Sequence, residues 1–130
     1  MPTTETAEET VRSYYDALRD GEPLPSYFAD EETTFKFGIT ERLFGYDTVE
    51  KALREQTDET ENWTAESRDL RVIERGDHAI FGDIVHMAWE NTEKGRTYDF
   101  ETRWSGTLER RKEENWLFVY MHVSAEPSTE

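Results

Sequence analysis

The sequence predicts an α+β domain with its helices on one face of an antiparallel sheet. Three observations predict it. Apolar residues recur near helical spacing in the first twenty residues. After Asn62 the pattern changes to strand-like runs. Near the C-terminus, the runs Tyr98–Leu108 and Trp116–Ser124 flank a charged break, Arg110-Arg111-Lys112-Glu113-Glu114-Asn115, which is the pattern of a hairpin. Helices followed by a succession of strands describe helices packed on a sheet.

Each element has its own reason. Ala7, Val11, Tyr14, Tyr15 and Leu18 form one stripe, so residues 6–20 are read as a helix. Thr6 and Glu9 have the spacing of a capping box, and Gly21 ends the helix. Leu24, Tyr27 and Phe28 suggest a short second helix over 23–29. Residues 32–37 alternate weakly, as a strand does, and 38–45 read as loop. Val49 and Leu53 mark a third helix from about Asp47 to Asp58. Leu70, Val72 and Ile73 place a strand over 64–74, Gly76-Asp77 a turn, and the apolar run 78–89 the next strand. Another turn over 91–96 leads into the C-terminal hairpin. In its first strand Phe100, Trp104 and Leu108 share one face, and Asp99, Glu101, Arg103 and Ser105 the other. In its second strand both parities are apolar, which suggests a second subunit against the sheet and hence a homodimer.

Composition bounds the function. A chain of 130 residues without cysteine is one domain that builds its core without disulfides. The start shows no basic, apolar leader, and no run is long enough to span a bilayer. A cytoplasmic protein is expected, with residues 1–5 and 126–130 as frayed tails. Thirty acids against fifteen bases give a formal net charge of −15. The excess is spread along the chain and not gathered in one tail. That surface repels nucleic acid and anionic lipid, so neither is an expected partner. A dispersed acidic excess also fits a halophilic protein, whose self-repulsion is screened by salt; an ordinary acidic protein is the alternative.

The order of elements resembles the SnoaL-like branch of the nuclear-transport-factor-like, or cystatin-like α+β, superfamily. That superfamily includes ketosteroid isomerases, polyketide cyclases and the association domain of calcium/calmodulin-dependent kinase II. The resemblance runs over about residues 6–125. It is carried by Glu101-Thr102-Arg103-Trp104, Arg110-Arg111, Trp116 and the ending His122-Val123-Ser124, which are similar to the pattern of the kinase association domain. Tyr14-Tyr15-Asp16-Ala17-Leu18-Arg19-Asp20-Gly21, Phe28-Ala29-Asp30 and Phe44-Gly45 are also family-like. The resemblance implies a single SnoaL-like domain over 1–130. It implies a cone, in which a curved antiparallel sheet wraps a long N-terminal helix, encloses a cavity and dimerises through the sheet.

By that resemblance Arg103 lines the cavity and faces an anionic group, for which a guanidinium is suited. A structural ion pair with Glu101 is the other reading. His86 sits where the association domain has a pocket arginine, so it is a candidate anion site or proton carrier. A hydrogen-bonded core histidine stands beside that reading. Asp83, three residues away, faces the opposite side of the strand and does not pair with His86. Tyr14 falls where ketosteroid isomerases place an oxyanion-stabilising tyrosine, and is otherwise core. His122 reads as a strand-end or interface anchor, and Trp89 and Trp104 as wall or core.

The isomerase base, a carboxylate at the end of the first strand, has no counterpart in Thr34-Phe35-Lys36-Phe37-Gly38. The neutral acid of that oxyanion hole has no clear match either, unless Glu101 serves, and both departures count against steroid-type isomerisation. His78, His86 and His122 lack metal-ligand spacing, and no cofactor is implied. Three functions follow, the first favoured over the second by the missing first-strand acid and the other two kept as alternatives. The first is a dimeric protein binding a small anionic or polar organic molecule through Arg103, His86, Tyr14 and Glu101. The second is an isomerase, cyclase or hydratase with His86 or Glu101 as catalytic base. The third is an interaction module with an inert pocket.

Overall fold

The long N-terminal helix is built as its sequence predicts. The structure, a computed structural model, describes residues 6–111 and 115–126. Helix α1 runs Ala7–Asp20. The Thr6 side chain accepts the Glu9 N–H at 3.1 Å, and Glu9 accepts the Thr6 N–H at 2.8 Å. Gly21 closes the helix in the left-handed region, at φ 70°, which a side chain would disfavour. Seven residues of α1, from Ala7 to Leu18, are buried. The short second helix is a single 3-10 turn, Pro25–Tyr27. Helix α2 spans Tyr46–Glu59 and buries Val49 and Leu53.

The strands are β1 (Phe35–Phe37), β2 (Arg42–Phe44), β3 (Thr60–Ser67), β4 (Arg71–Arg75), β5 (His78–Asn91), β6 (Arg96–Arg110) and β7 (Trp116–Ala125). Their order in the sheet is β2-β1-β7-β6-β5-β3, with β4 also on β5. Two differences from expectation matter. The loop expected over 38–45 contains β2, which folds back on β1 as a hairpin. The strand expected over 64–74 is two strands, because Arg68, Asp69 and Leu70 leave the ladder between β3 and β4. The sheet is antiparallel at every pairing except β1 with β7, which run parallel. The expected tails 1–5 and 127–130, and residues 112–114 of the charged turn, lie outside the described residues; Glu126 is exposed.

Curvature comes from irregular pairing. On β7 the register shifts so that Thr107 faces Tyr120 while Leu108 faces Phe118, leaving Val119 as an extra residue. Such a bulge bends the strand and reverses its parity. Trp116 and Phe118 are buried before it, Met121 and Val123 after it. The bulge therefore accounts for burial at both parities of 116–124, while Leu117, Val119 and Tyr120 remain half-buried on the other face. Gly106 sits at the bend; a Cβ there would meet the Tyr120 carbonyl and lie 2.8 Å from the Phe81 ring. A second register shift, between Glu61 and Thr64, bends β3.

The concave face holds the core. Tyr14 meets Phe118 and Tyr27 edge-on at 5.4 Å each, and Tyr15 meets Trp104 at 5.2 Å. Asp83 is buried in this core, accepting the Tyr15 hydroxyl at 2.9 Å and the Asp69 N–H at 3.0 Å. As expected, it faces away from His86. No helix among the described residues is long and apolar enough to cross a membrane.

Candidate functional site

The sheet, α1 and α2 leave a cavity of about 500 Å³. One wall is aromatic. Trp63 and Trp89 stack at 4.7 Å and 18°, Tyr98 continues the stack on Trp89 at 5.2 Å and 22°, and Phe100 lies 5.8 Å from Trp89. All four line the cavity, with Tyr14, Trp104 and Met87 deeper in. They line it because β5 turns its odd-numbered residues inward and β6 its even-numbered ones. Cross-strand pairing then sets Trp89 opposite Tyr98 and Met87 opposite Phe100. Glu55, Gln56 and Glu59 come from α2, Asn91 from the end of β5 and Lys94 from the turn after it. The Glu59 carboxyl is held above the usual range, first by a hydrogen bond to Glu93 and then by that residue's charge.

The polar floor comes from β1. Its order is Phe35 out, Lys36 in, Phe37 out. The strand pairs with β7 so that Lys36 is opposite the buried Met121, while Phe35 and Phe37 are opposite Tyr120 and His122. Lys36 is 5% exposed, and its Nζ lies 3.3 Å from Glu41 Oε1. Glu41 arrives from the turn Gly38–Glu41, which is closed by the Gly38 N–H donating to the Glu41 carbonyl at 3.1 Å. A Cβ on Gly38 would stand 2.6 Å from Glu41 Oε1, so glycine leaves room for the carboxylate to fold back toward Lys36. Burial and then the Glu41 charge push the Tyr14 phenol far above the usual tyrosine range, so it is a neutral hydrogen-bond donor. Cavity, cation, carboxylate and phenol together can seat a polar group and stabilise negative charge on oxygen.

Of the four residues the sequence nominates, only Tyr14 lines this cavity. Arg103, Glu101 and His86 lie on the convex face, and their expected place in the cavity wall is corrected. The reason is parity. Thr102 and Trp104 are buried on one side of β6, so Glu101 and Arg103 on the other are exposed. Glu101 pairs with Arg68, not with Arg103. His86 stands between Glu66, 3.1 Å from Nδ1, and Asp99, 2.8 Å from Nε2. These hydrogen bonds, Glu66 first, raise its pKa above the ordinary histidine value. It is neither a core histidine nor a cavity residue. His122 is on the same convex face, edge-on to Phe37 at 5.8 Å. Trp104 is core and Trp89 is wall. Among the described residues no group of three or more His, Cys, Asp or Glu is arranged to hold a metal.

Sequence reasoning missed Lys36 and Glu41. The pattern Phe-Lys-Phe reads as two buried aromatics around an exposed lysine; only the pairing of β1 with β7 reverses it. The aromatic wall had a signal, in that Trp89, Tyr98 and Phe100 flank one turn at positions that pair across it.

A curved mixed sheet around an N-terminal helix, with a cavity between, defines an α+β cone of the nuclear-transport-factor-like class. The family model for the SnoaL-like domain matches residues 7–127, and the chain belongs to that family. Solved structures agree on the fold. A nuclear transport factor 2-like superfamily protein from Salmonella enterica serovar Typhimurium superposes with a TM-score of 0.80 at 16% identity, covering 94% of this chain and 89% of that one. A ketosteroid isomerase-like protein from Erwinia carotovora gives 0.76 at 13% identity, covering 93% and 94%. A candidate calcium/calmodulin-dependent protein kinase type II association domain from Thiobacillus denitrificans gives 0.74 at 16% identity, covering 98% and 100%. No curated protein matches the chain significantly.

Proposed function

We propose that this protein binds a small polar or anionic organic molecule inside the cone. The observation that carries this reading is a cavity of about 500 Å³ that joins an aromatic wall to a buried ammonium. That volume is of the size ligand sites use, and a few polar groups among apolar ones give orientation. A ligand that binds only the folded state raises stability by mass action, about 2.7 kcal/mol at a hundred times Kd. A thermal-shift screen of carboxylates and ketones should therefore show stabilising compounds. Ala52→Trp, which fills the cavity from α2, should abolish their effect. A shift that survives this filling would move the site elsewhere.

A second reading, an enzyme of isomerase, cyclase or hydratase type, is favoured by one observation. The neutral Tyr14 phenol and the Glu41 carboxylate line the same cavity, as an oxyanion donor and a base would. In this reading Glu41 takes the role the sequence offered to His86 or Glu101. Turnover of a ketone that is lost in both Tyr14→Phe and Glu41→Gln supports it.

The working form is a homodimer through the convex face of the sheet. Ile80, Ile84 and Phe44 are exposed there at 48%, 38% and 64%, beside the rings of Phe35, Phe37 and Tyr120. Covering apolar surface of this kind favours association. Arg103, Glu101 and His86 then contribute to that interface. Sedimentation should give a dimer, and Ile84→Asp a monomer with its cavity intact. The net charge of −15 fits a cytoplasm rich in salt, where melting temperature rises with added KCl.

A further inference from the structure

Lysine is scarce in this chain, with four against eleven arginines, and two of the four, Lys36 and Lys94, line the cavity. Lys94 is at the exposed turn. Lys36 is set deep, with its side chain 7% exposed. An ammonium carries three N–H donors. Among the described residues Lys36 has one hydrogen-bond partner, Glu41 Oε1 at 3.3 Å, which is long for a charged pair. A buried cation with donors to spare calls for a further acceptor.

The two partners differ in freedom. The Glu41 side chain is 36% exposed and sits on a turn, so it can rotate into water. Lys36 is enclosed and cannot follow it. Lys36 is thus the fixed half of the pair and Glu41 the exchangeable half. A ligand carboxylate can replace the Glu41 carboxylate and keep the ammonium neutralised, whereas a neutral ligand cannot. Elsewhere in the lining Trp89 is covered on one face by Trp63 and on the other by Tyr98, so the stack meets the cavity through its ring edges. Ring edges are the positive part of an aromatic, so they favour the π face of a flat conjugated body over a bulky saturated one.

We propose that Lys36 is the head-group site of the cavity and that its ligand is a flat conjugated carboxylate. The acid binds the Lys36 ammonium in place of Glu41, and the conjugated body lies along the Trp89 wall. This rests on the binding reading above and names its ligand class. It also predicts an unusual salt dependence. An anion approaching a chain of net charge −15 is repelled at long range, so added salt speeds its entry, while the buried contact itself is little screened.

The test is a tryptophan-fluorescence titration with three probes of one shape: 2-naphthoate, 2-naphthamide and a (2-naphthylmethyl)trimethylammonium salt. Naphthoate should bind at least about tenfold more tightly than the other two, a difference of about 1.4 kcal/mol. Lys36→Met should remove that preference and leave the amide's affinity unchanged. Glu41→Gln, which removes the internal competitor, should tighten naphthoate about threefold; it provides the reading should Lys36→Met not fold. Equal binding of acid and amide, tightest binding of the cation, or a folded Lys36→Met that keeps its naphthoate affinity each overturns the proposal while leaving the cavity a binding site. Absence of binding by all three probes overturns the binding reading with it.

Discussion

The two faces of the sheet are made by the same strands, and they use charge in opposite ways. On the concave face Lys36 and Asp83 are enclosed, with named partners at fixed distances. On the convex face His86, Glu66, Asp99, Arg68, Glu101 and Arg103 form an open charged strip beside exposed isoleucines. Neighbouring residues along β6, Trp104 and Arg103, belong to different worlds. The lesson is that being charged among apolar residues does not put a side chain in a cavity. A two-residue period says which residues share a face, and only packing says which face is inside.

The comparison breaks first where the concave side is emptied. Phe118 is fully buried and touches Tyr14, Phe28 and Phe81. Phe118→Ala should cost about 3–5 kcal/mol in denaturant unfolding. A loss as small as that of a surface change would mean that the concave side is not the core. Next comes the enclosed polar pair. Tyr15→Phe leaves the Asp83 carboxylate without its hydroxyl donor and should cost about 1–3 kcal/mol. Asp83→Asn in the Tyr15→Phe background should recover part of that, because it removes the buried charge.

The convex side should respond least. Arg68→Ala should cost no more than about 1 kcal/mol, since both partners of the Arg68–Glu101 pair are half in water. Arg103→Ala should leave ligand-induced thermal shifts unchanged, because Arg103 is across the sheet from the cavity. His86 adds a pH dependence. Its pKa is raised in the folded state by Glu66 and Asp99, so its contribution is full below the unfolded value of about 6.5. The contribution is lost as pH rises through the raised folded value. Wild type should thus lose stability relative to His86→Gln over that interval, measured as paired denaturation curves. Parallel curves would mean the two carboxylates do not hold the imidazolium.

Much of the fold was legible in local chemistry. The Thr6–Glu9 box, Gly21 and the apolar stripe of α1 specify a helix by contacts within a few residues of one another. The long strands β5 and β6 carry their alternation over many residues, so their existence and pairing were readable. β2 was missed because three residues, Arg42 to Phe44, are too few to show a period. The split of 64–74 was missed because the apolar residues Leu70, Val72 and Ile73 continue across the break. The site was less legible than the fold. Tyr14 was found through its place on α1, yet Lys36 reads from its neighbours as a surface lysine.

The sequence by itself determined the helix ends, the two long strands, the acidic surface and the family, because each depends on local pattern or on residue identities in order. Tertiary structure alone decided which side of each strand is enclosed. The parallel docking of β1 on β7 turns Lys36 inward, and the bulge at Val119 reverses β7 so that both Phe118 and Met121 are buried. Both are properties of a register between distant segments, and a shift of one residue would exchange cavity for surface.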